Sequence, residues 1–365
     1  MLRIHEIIAC FEAIAPSRLQ ESYDNSGLIV GDVNGEVHRA LLCLDSTEAV
    51  VDEAIAKGCD IIVAHHPIVF KGLKKLNGKN YVERVVIKAI KNDIAIYASH
   101  TNLDHVEGGV NFKIAEKLGL QNVRILQPKK NLLKKLVTFV PVEHGQKVLD
   151  ALFEAGAGQI GDYKNCSFRT EGTGTFRPTG GANPFIGALG KDEAVNEFRI
   201  EVILQAHQEY AILSALKKAH PYEEVAYYLS NLENDLAQVG AGAIGNLGEA
   251  IDETAFLQYL KNAMALSTIR HTPLFGKKIQ RVAVCGGAGG FLLNDAIRQG
   301  ADVFVTADYK YHEFFDAENK IIICDIGHYE SEVYTKELII SYLSEKFSNF
   351  AILKSQVNTN PVQYF

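Results

Sequence analysis

The stretch Ile61-Ile62-Val63-Ala64-His65-His66-Pro67 decides the reading of this chain. A short apolar, largely β-branched run leads into two adjacent histidines and a proline. Such a run, bounded by a turn signal, predicts a strand covered on both faces, as in a parallel sheet. Pro67 cannot continue a central strand, so the chain must leave the sheet there. His65 and His66 then lie at the carboxyl end of a parallel strand, where open α/β sheets place their ligands. Imidazole is the commonest metal ligand among side chains. A strand that is just ending can aim both rings at one region, or at two sites side by side. The alternative is one histidine as ligand or core and the other in solvent, because successive strand side chains point to opposite faces.

Outward from this strand, elements alternate. Residues 2–15 carry helical spacing (Ile4, Ile7, Ile8, Phe11, Ile14) that Pro16 stops. Tyr23-Asp24-Asn25-Ser26-Gly27 is a turn before the strand opening at Leu28. Strands are expected at 39–44, 60–64 and 94–98. Helices are expected from Asp45-Ser46-Thr47-Glu48 to Ile55, ended by Gly58, and over 81–91 and 111–118. This alternation predicts a doubly wound parallel sheet. The middle differs: strands at 136–141, 197–205 and 225–229, helices at 144–155 and 208–219, and Gly- and Thr-rich sequence over 172–190. The order strand, helix, strand, strand, helix, strand is ferredoxin-like. The end returns to α/β: helices at 252–266, 291–298 and 332–347, strands at 281–285, 302–306 and 321–324. An ungapped repeat pairs Arg39 with Arg281, Cys43 with Cys285, Gly58 with Gly300 and Asp60 with Asp302. The expected fold is therefore α/β: two similar doubly wound α/β halves, residues 1–129 and 241–365, forming one metal-binding unit. A ferredoxin-like α+β domain over 130–240 is inserted between them, with Gly240–Gly245 as its exit linker.

Composition narrows the function. The chain has 365 residues, 47% hydrophobic, with net charge -7. It lacks the basic footprint of a nucleic-acid or anionic-membrane binder, so nucleic acid is disfavoured. No apolar run approaches the roughly 18 residues that span a bilayer. The N-terminus lacks a signal-peptide layout, and the expected location is cytoplasmic. The six cysteines have no CxxC spacing and read as buried reduced thiols rather than disulfides or a zinc ribbon.

Chemistry gathers at three strand ends. Gly327-His328-Tyr329-Glu330-Ser331-Glu332 follows the strand at 321–324, and i,i+4 spacing puts His328 and Glu332 on one helix face. Asp104 follows the strand at 94–98. With His65 and His66 they make three histidines and two carboxylates, a donor set for Zn, Mn, Fe, Co or Ni rather than Mg or Ca. Five ligands exceed one open catalytic zinc. They suit two divalent transition-metal ions about 3.5–4 Å apart with a bridging carboxylate.

The motifs Ala64-His65-His66-Pro67, Ser99-His100-Thr101-Asn102-Leu103-Asp104 and Gly327-His328-Tyr329-Glu330-Ser331-Glu332 resemble those of the NIF-three-like family, the GTP cyclohydrolase 1 type 2 homologues. Tyr23-Asp24-Asn25-Ser26-Gly27-Leu28 resembles the family's N-terminal signature. The 130–240 segment, with His220-Pro221-Tyr222-Glu223-Glu224, resembles the PII/CutA-like insert of its longer members. The resemblance covers the whole chain. It implies a two-metal site at His65, His66, Asp104, His328 and Glu332, and a ring-shaped homohexamer. Two such ions would make hydroxide at neutral pH, and the leading expectation is a metal-dependent hydrolase, cyclohydrolase-like or phosphoesterase-like, acting on a small nucleotide-like or phosphorylated substrate. The alternative is a non-enzymatic metal-binding or regulatory protein with the insert as sensor or partner surface.

Other residues carry weaker expectations. Gly286–Gly290 is read as a tight strand-to-helix turn before a phosphate cradle, since it lacks a P-loop Lys-Ser/Thr. Asp45 is read as a helix cap before a holder of metal-bound water. His100 and His105 are read as exposed before orienting groups. Asp308 and His312 are candidates to line the same cavity.

Overall fold

Ile61–His66 is a strand that ends one residue before Pro67. Ile61, Ile62, Val63 and Ala64 are fully buried. The computed structural model describes residues 2–365. The chain divides into two compact units, one running up to Pro128 and resuming at Gln238, the other Lys129–Ala237.

In the first unit, Ile61–His66 is the middle strand of a five-stranded sheet. The order is Ala351–Lys354, Arg39–Asp45, Ile61–His66, Ala95–Ala98, Gly27–Val30. The first four run parallel and Gly27–Val30 antiparallel. Helices Glu48–Ala56 and Tyr81–Lys91 cover one face, where Val50, Val51, Val85 and Val86 meet Leu41, Ile62 and Ile96. Helix Thr335–Lys346 packs against Arg39–Asp45. A six-stranded sheet follows the order Arg270–His271, Ile322–Asp325, Val303–Ala307, Lys278–Ala288, Leu236–Asp252, Gln121–Lys129. Its three central strands, Ile322–Asp325, Val303–Ala307 and Lys278–Ala288, are parallel. Both sheets thus end their parallel strands in loops and short helices, the place for ligand-bearing side chains.

The repeat read in the sequence has matching hydrogen bonds. Asp60 Oδ2 accepts from the backbone N–H of His38 and Arg39 at 2.7 and 2.9 Å. Asp302 Oδ2 accepts from Gln280 and Arg281 at 2.9 and 2.8 Å. The Arg39 guanidinium donates to the Lys57 carbonyl, and that of Arg281 to the Gln299 carbonyl. Gly58 and Gly300 both take positive φ after their helices, a conformation that favours glycine.

In the second unit, four antiparallel strands order as Tyr227–Leu232, Leu133–Pro141, Glu193–Gln205, Ser167–Phe176. The strand Ser167–Phe176 runs into the Gly- and Thr-rich stretch, which it enters at Gly172. Helices Gly145–Glu154 and Glu209–Ala219 pack on one face over Leu136, Val140, Ile200 and Val202.

Two local expectations are corrected. Gly240–Gly245 is not a linker but part of the 17-residue strand Leu236–Asp252. The expected helix over 332–347 is two helices, His328–Glu332 and Thr335–Lys346. Among the described residues no helix is long and apolar enough to cross a membrane.

The glycines of the long strand permit close approach. A Cβ on Gly240 would lie 2.1 Å from the Gln127 carbonyl oxygen, whereas one on Gly248 would meet only a side-chain nitrogen at 3.5 Å. Gly240→Ala is expected to destabilise by about 1–3 kcal/mol through overpacking, and Gly248→Ala by less than about 0.5 kcal/mol. Denaturant unfolding of the two variants checks this; equal stabilities would contradict it.

Candidate metal centre

The backbone delivers the expected ligands from three strand ends. His65 and His66 close Ile61–His66. Asp104 closes the one-turn helix Thr101–Asp104, just beyond the strand Ala95–Ala98. His328 and Glu332 begin and end the short helix that follows Ile322–Asp325. The i,i+4 spacing puts them on one face, with His328 Nε2 3.0 Å from Glu332 Oε2. The structure brings all five side chains together. His66 Nε2 lies 2.9 Å from Glu332 Oε2 and 3.4 Å from His328 Nε2. His65 Nε2 lies 3.6 Å from Asp104 Oδ1 and 3.9 Å from Glu332 Oε1.

Each imidazole is oriented through its other nitrogen. His65 Nδ1 donates to the Ser99 carbonyl at 2.8 Å. His66 Nδ1 is held by Asp45 Oδ1 and His328 Nδ1 by Asp308 Oδ2, both at 2.7 Å. A protonated Nδ1 turns the Nε2 position of each ring toward the shared centre, the arrangement seen around ligating histidines. His65 Nε2 and Asp104 Oδ1 are buried and have no hydrogen-bond partner among the described residues. Buried polar atoms without partners are costly. Here they face one another across 3.6 Å. An N/O donor set of this kind fits a divalent transition metal. Two groups of three donors fall within reach of one another: His66, His328 and Glu332, and also His65, His66 and His100.

The charges reinforce the fit. Burial works against protonating His66, but the Asp45 and Glu332 carboxylates outweigh it and push it up to about 9. Burial likewise opposes protonation of His328, and Asp308 and Glu332 push it up to about 11. Burial, with the Glu332 charge, raises Asp104 to about 7. Glu332, although buried, is held well below the usual carboxylate range by His328, His65 and His66. The cluster demands positive charge, which bound protons or metal ions can supply.

Room for Glu332 comes from glycine. A Cβ on Gly287, at φ +60, would lie 2.5 Å from Glu332 Oε1, and one on Gly286 would lie 3.2 Å from its Cγ. The backbone N–H groups here are already committed: Gly286 donates to Asn111 Oδ1, Gly287 to Ser331 Oγ and Gly289 to Thr306 Oγ1. The expected tight turn over Gly286–Gly290 is corrected: Gly286–Ala288 close the strand Lys278–Ala288, the short helix Gly290–Leu292 follows, and those donors are unavailable to a phosphate.

Other expectations need correction. Asp45 caps no helix; Thr47 caps Glu48–Ala56 by accepting from Val50 N. The Asp45 carboxylate instead holds His66, and it accepts from the Thr359 hydroxyl. His100 is not a solvent residue. Its Nδ1 is 2.7 Å from Asp24 Oδ1, and its ring lies 5.3 and 5.4 Å from those of His65 and His66. His105 is buried with Nδ1 on the Leu19 carbonyl. Asp308 joins the centre through His328. His312 belongs instead to a ring cluster with Tyr311 and Phe315.

Sequence reasoning missed Asp24 and the C-terminal segment. Asp24 sits in a turn motif, and its link to His100 spans 76 residues. Asn360 donates to Glu330 Oε1 at 2.9 Å. A cavity of about 450 Å³ beside His66 and His328 is lined by Arg270, Asp308, Tyr329 and Tyr364.

Comparison with known proteins places the chain in a family. The family model Duf34/NIF3 (NGG1p interacting factor 3) matches residues 2–361. A "GTP cyclohydrolase 1 type 2 homolog" of Halalkalibacterium halodurans is 41% identical over 98% of each chain. Its namesake in Bacillus subtilis is 38% identical, again over 98% of each. A solved Bacillus cereus protein related to NIF3 superposes with TM-score 0.85 at 41% identity, covering 100% of this chain and 99% of that one.

The shifts predict a pH signature. His66 and His328 bind protons more tightly folded than unfolded, so the stability they contribute is full below pH ~6.5 and is lost as pH rises toward 9. Added metal replaces that charge and displaces the protons. The melting temperature of chelator-treated protein should therefore fall between pH 6.5 and 8.5, and the rise on adding manganese should grow over the same window. His328→Ala should flatten both trends. A metal-free melting temperature that climbs across the window contradicts the assignment.

Proposed function

Because the chain belongs to the Duf34/NIF3 family, we propose that it holds two divalent metal ions and acts as a metal-dependent hydrolase of a small nucleotide-like or phosphorylated compound. One observation carries this reading. Glu332 divides its carboxylate, with Oε2 beside His66 and His328, and Oε1 toward His65, which also faces Asp104. Two donor sets sharing one carboxylate suit a pair of ions from the Zn, Mn, Fe, Co and Ni group. When bound, such ions supply Lewis acidity and a strong nucleophile at neutral pH. Ring opening of a purine nucleotide, in keeping with the relatives' name, and phosphoester cleavage both need that nucleophile.

The chain's own residues do the rest. Ser99, Asp45 and Asp308 fix the three ligand rings and their tautomers. His100, fixed through Nδ1 by Asp24, is placed to carry a proton at Nε2 beside the centre. Tyr329 and Tyr364 provide ring surface in the adjoining cavity, and Arg270 brings a cation to its wall. In this reading the two sheets of the first unit are two similar halves with the centre between them. The Lys129–Ala237 segment is a ferredoxin-like, PII/CutA-like insert, and the protein is a cytoplasmic homohexamer.

The test combines metal analysis with turnover. Elemental analysis of protein purified without chelator should give two transition-metal ions per chain. His328→Ala and Asp104→Asn should each lose one ion, and Glu332→Gln should weaken both. Asp45→Asn should weaken metal affinity by about 10- to 100-fold while leaving the fold intact. A panel of nucleotides, phosphoesters and cyclic amides, with and without manganese or zinc, should show turnover that follows metal occupancy. One ion or none after metal incubation defeats the dinuclear reading. Full occupancy with no turnover on the panel favours a regulatory metal protein.

A further inference from the structure

The unit Lys129–Ala237 has a cavity on the sheet face its helices leave bare. Alternation along the strands sends Leu136, Val140, Ile200 and Val202 toward the helices. Phe139, Glu197 and Tyr228 point the other way. Over them the loops around Pro178–Ile186 and Tyr222–Ala226 enclose a cavity of about 710 Å³, a size ordinary for small-molecule sites. Phe139, Phe176, Phe185, Tyr222 and Tyr228 wall it. Phe139 and Tyr228 meet edge to face at 5.6 Å, and Phe176 and Tyr222 lie 5.8 Å apart.

At this aromatic wall sits a buried charge. Glu197 is only 7% exposed. Its Oε1 accepts from the Tyr222 hydroxyl at 3.0 Å, the only hydrogen bond to this carboxylate among the described residues. A Cβ on Gly174 would lie 2.1 Å from Glu197 Oε2, so the neighbouring strand is kept bare where the carboxylate lies. One phenol is poor compensation for a buried carboxylate. The rest of the lining is largely small, hydroxyl-bearing or apolar, with three further carboxylates, Glu171, Glu223 and Glu224, of which Glu223 accepts from the Asn183 backbone N–H at 2.8 Å. The two lining guanidiniums are already engaged, Arg177 with Asp192 at 2.7 Å and Arg199 with Glu201 at 2.9 Å.

Aromatic faces attract cations, most strongly where water is excluded. A buried carboxylate against such faces favours the same charge. We propose that this cavity binds a small organic cation, a protonated or quaternary amine. Its charge lies against Glu197 and its apolar substituents against the rings. The site is separate in sequence from the metal ligands, and its occupancy does not depend on hydrolysis at the metal centre.

The experiment uses the full, metal-loaded chain and three probes: phenyltrimethylammonium, its neutral isostere tert-butylbenzene, and benzenesulfonate. Ligand-observed NMR titration should give saturable binding of the cation. The neutral isostere should bind at least roughly tenfold more weakly and the sulfonate more weakly still. Glu197→Gln should weaken cation binding by at least roughly tenfold, with metal content and melting temperature unchanged. Tyr228 is 63% exposed, so Tyr228→Ala preserves the fold and should also weaken the cation several-fold; it decides the matter if Glu197→Gln does not fold. The proposal is overturned if the cation does not saturate at millimolar concentration, or if either other probe binds as tightly. It is equally overturned if Tyr228→Ala and a folded Glu197→Gln leave cation binding unchanged.

Discussion

Everything in the first unit answers to one buried carboxylate. The Glu332 side chain is 4% exposed, yet its charge persists because three imidazoles face it. A buried anion is tolerated only when opposite charge and hydrogen bonds replace its lost hydration. That requirement explains features that look unrelated along the chain. Gly286 and Gly287 are small because the carboxyl side chain occupies the space a Cβ would take. The short helix His328–Glu332 puts the residues at both of its ends at the cluster. Asp45 and Asp308 stand behind the histidines and set which nitrogen of each ring faces inward.

The sheets supply the rigidity this centre needs. His65 follows four fully buried residues, so its ring is placed by a strand rather than by a loop. The same carboxylate device, Asp60 in one sheet and Asp302 in the other, ties the start of one parallel strand to the start of the next. Repeated backbone constraints of this kind hold the parallel strands, and hence the side chains at their ends, in register. The repeat is not symmetric in its chemistry. The position equivalent to His66 is Asp308, which holds His328 from behind. One copy of the motif thus supplies an imidazole of the candidate centre, and the other supplies the carboxylate that holds another such imidazole.

The second unit solves a different problem. Its helices satisfy one sheet face, while the other carries Glu197 among aromatic rings. Leaving a carboxylate there costs stability unless something complements it.

Much of this was legible in the sequence by itself. The apolar run ending in His65-His66-Pro67 determined a buried parallel strand with two imidazoles at its carboxyl end. The i,i+4 spacing of His328 and Glu332 determined a shared helix face. Periodicity found most helices and strands, and the ungapped repeat marked Asp60 and Asp302, which make matching hydrogen bonds. What failed were inferences from local propensity where a distant partner overrode it. Asp45 resembled a cap until His66 and Thr359, one of them 314 residues away, claimed its carboxylate. Gly240–Gly245 resembled a linker because its close approach to Gln127 cannot be read from composition. His100 resembled a surface residue because Asp24 is distant in sequence and near in space. The sequence determined which residues could bind, through their types and their periods. Only the tertiary structure decided which nitrogen of each imidazole faces the centre, which carboxylate stands behind it and which is shared, because those depend on contacts between strand ends that no local pattern encodes.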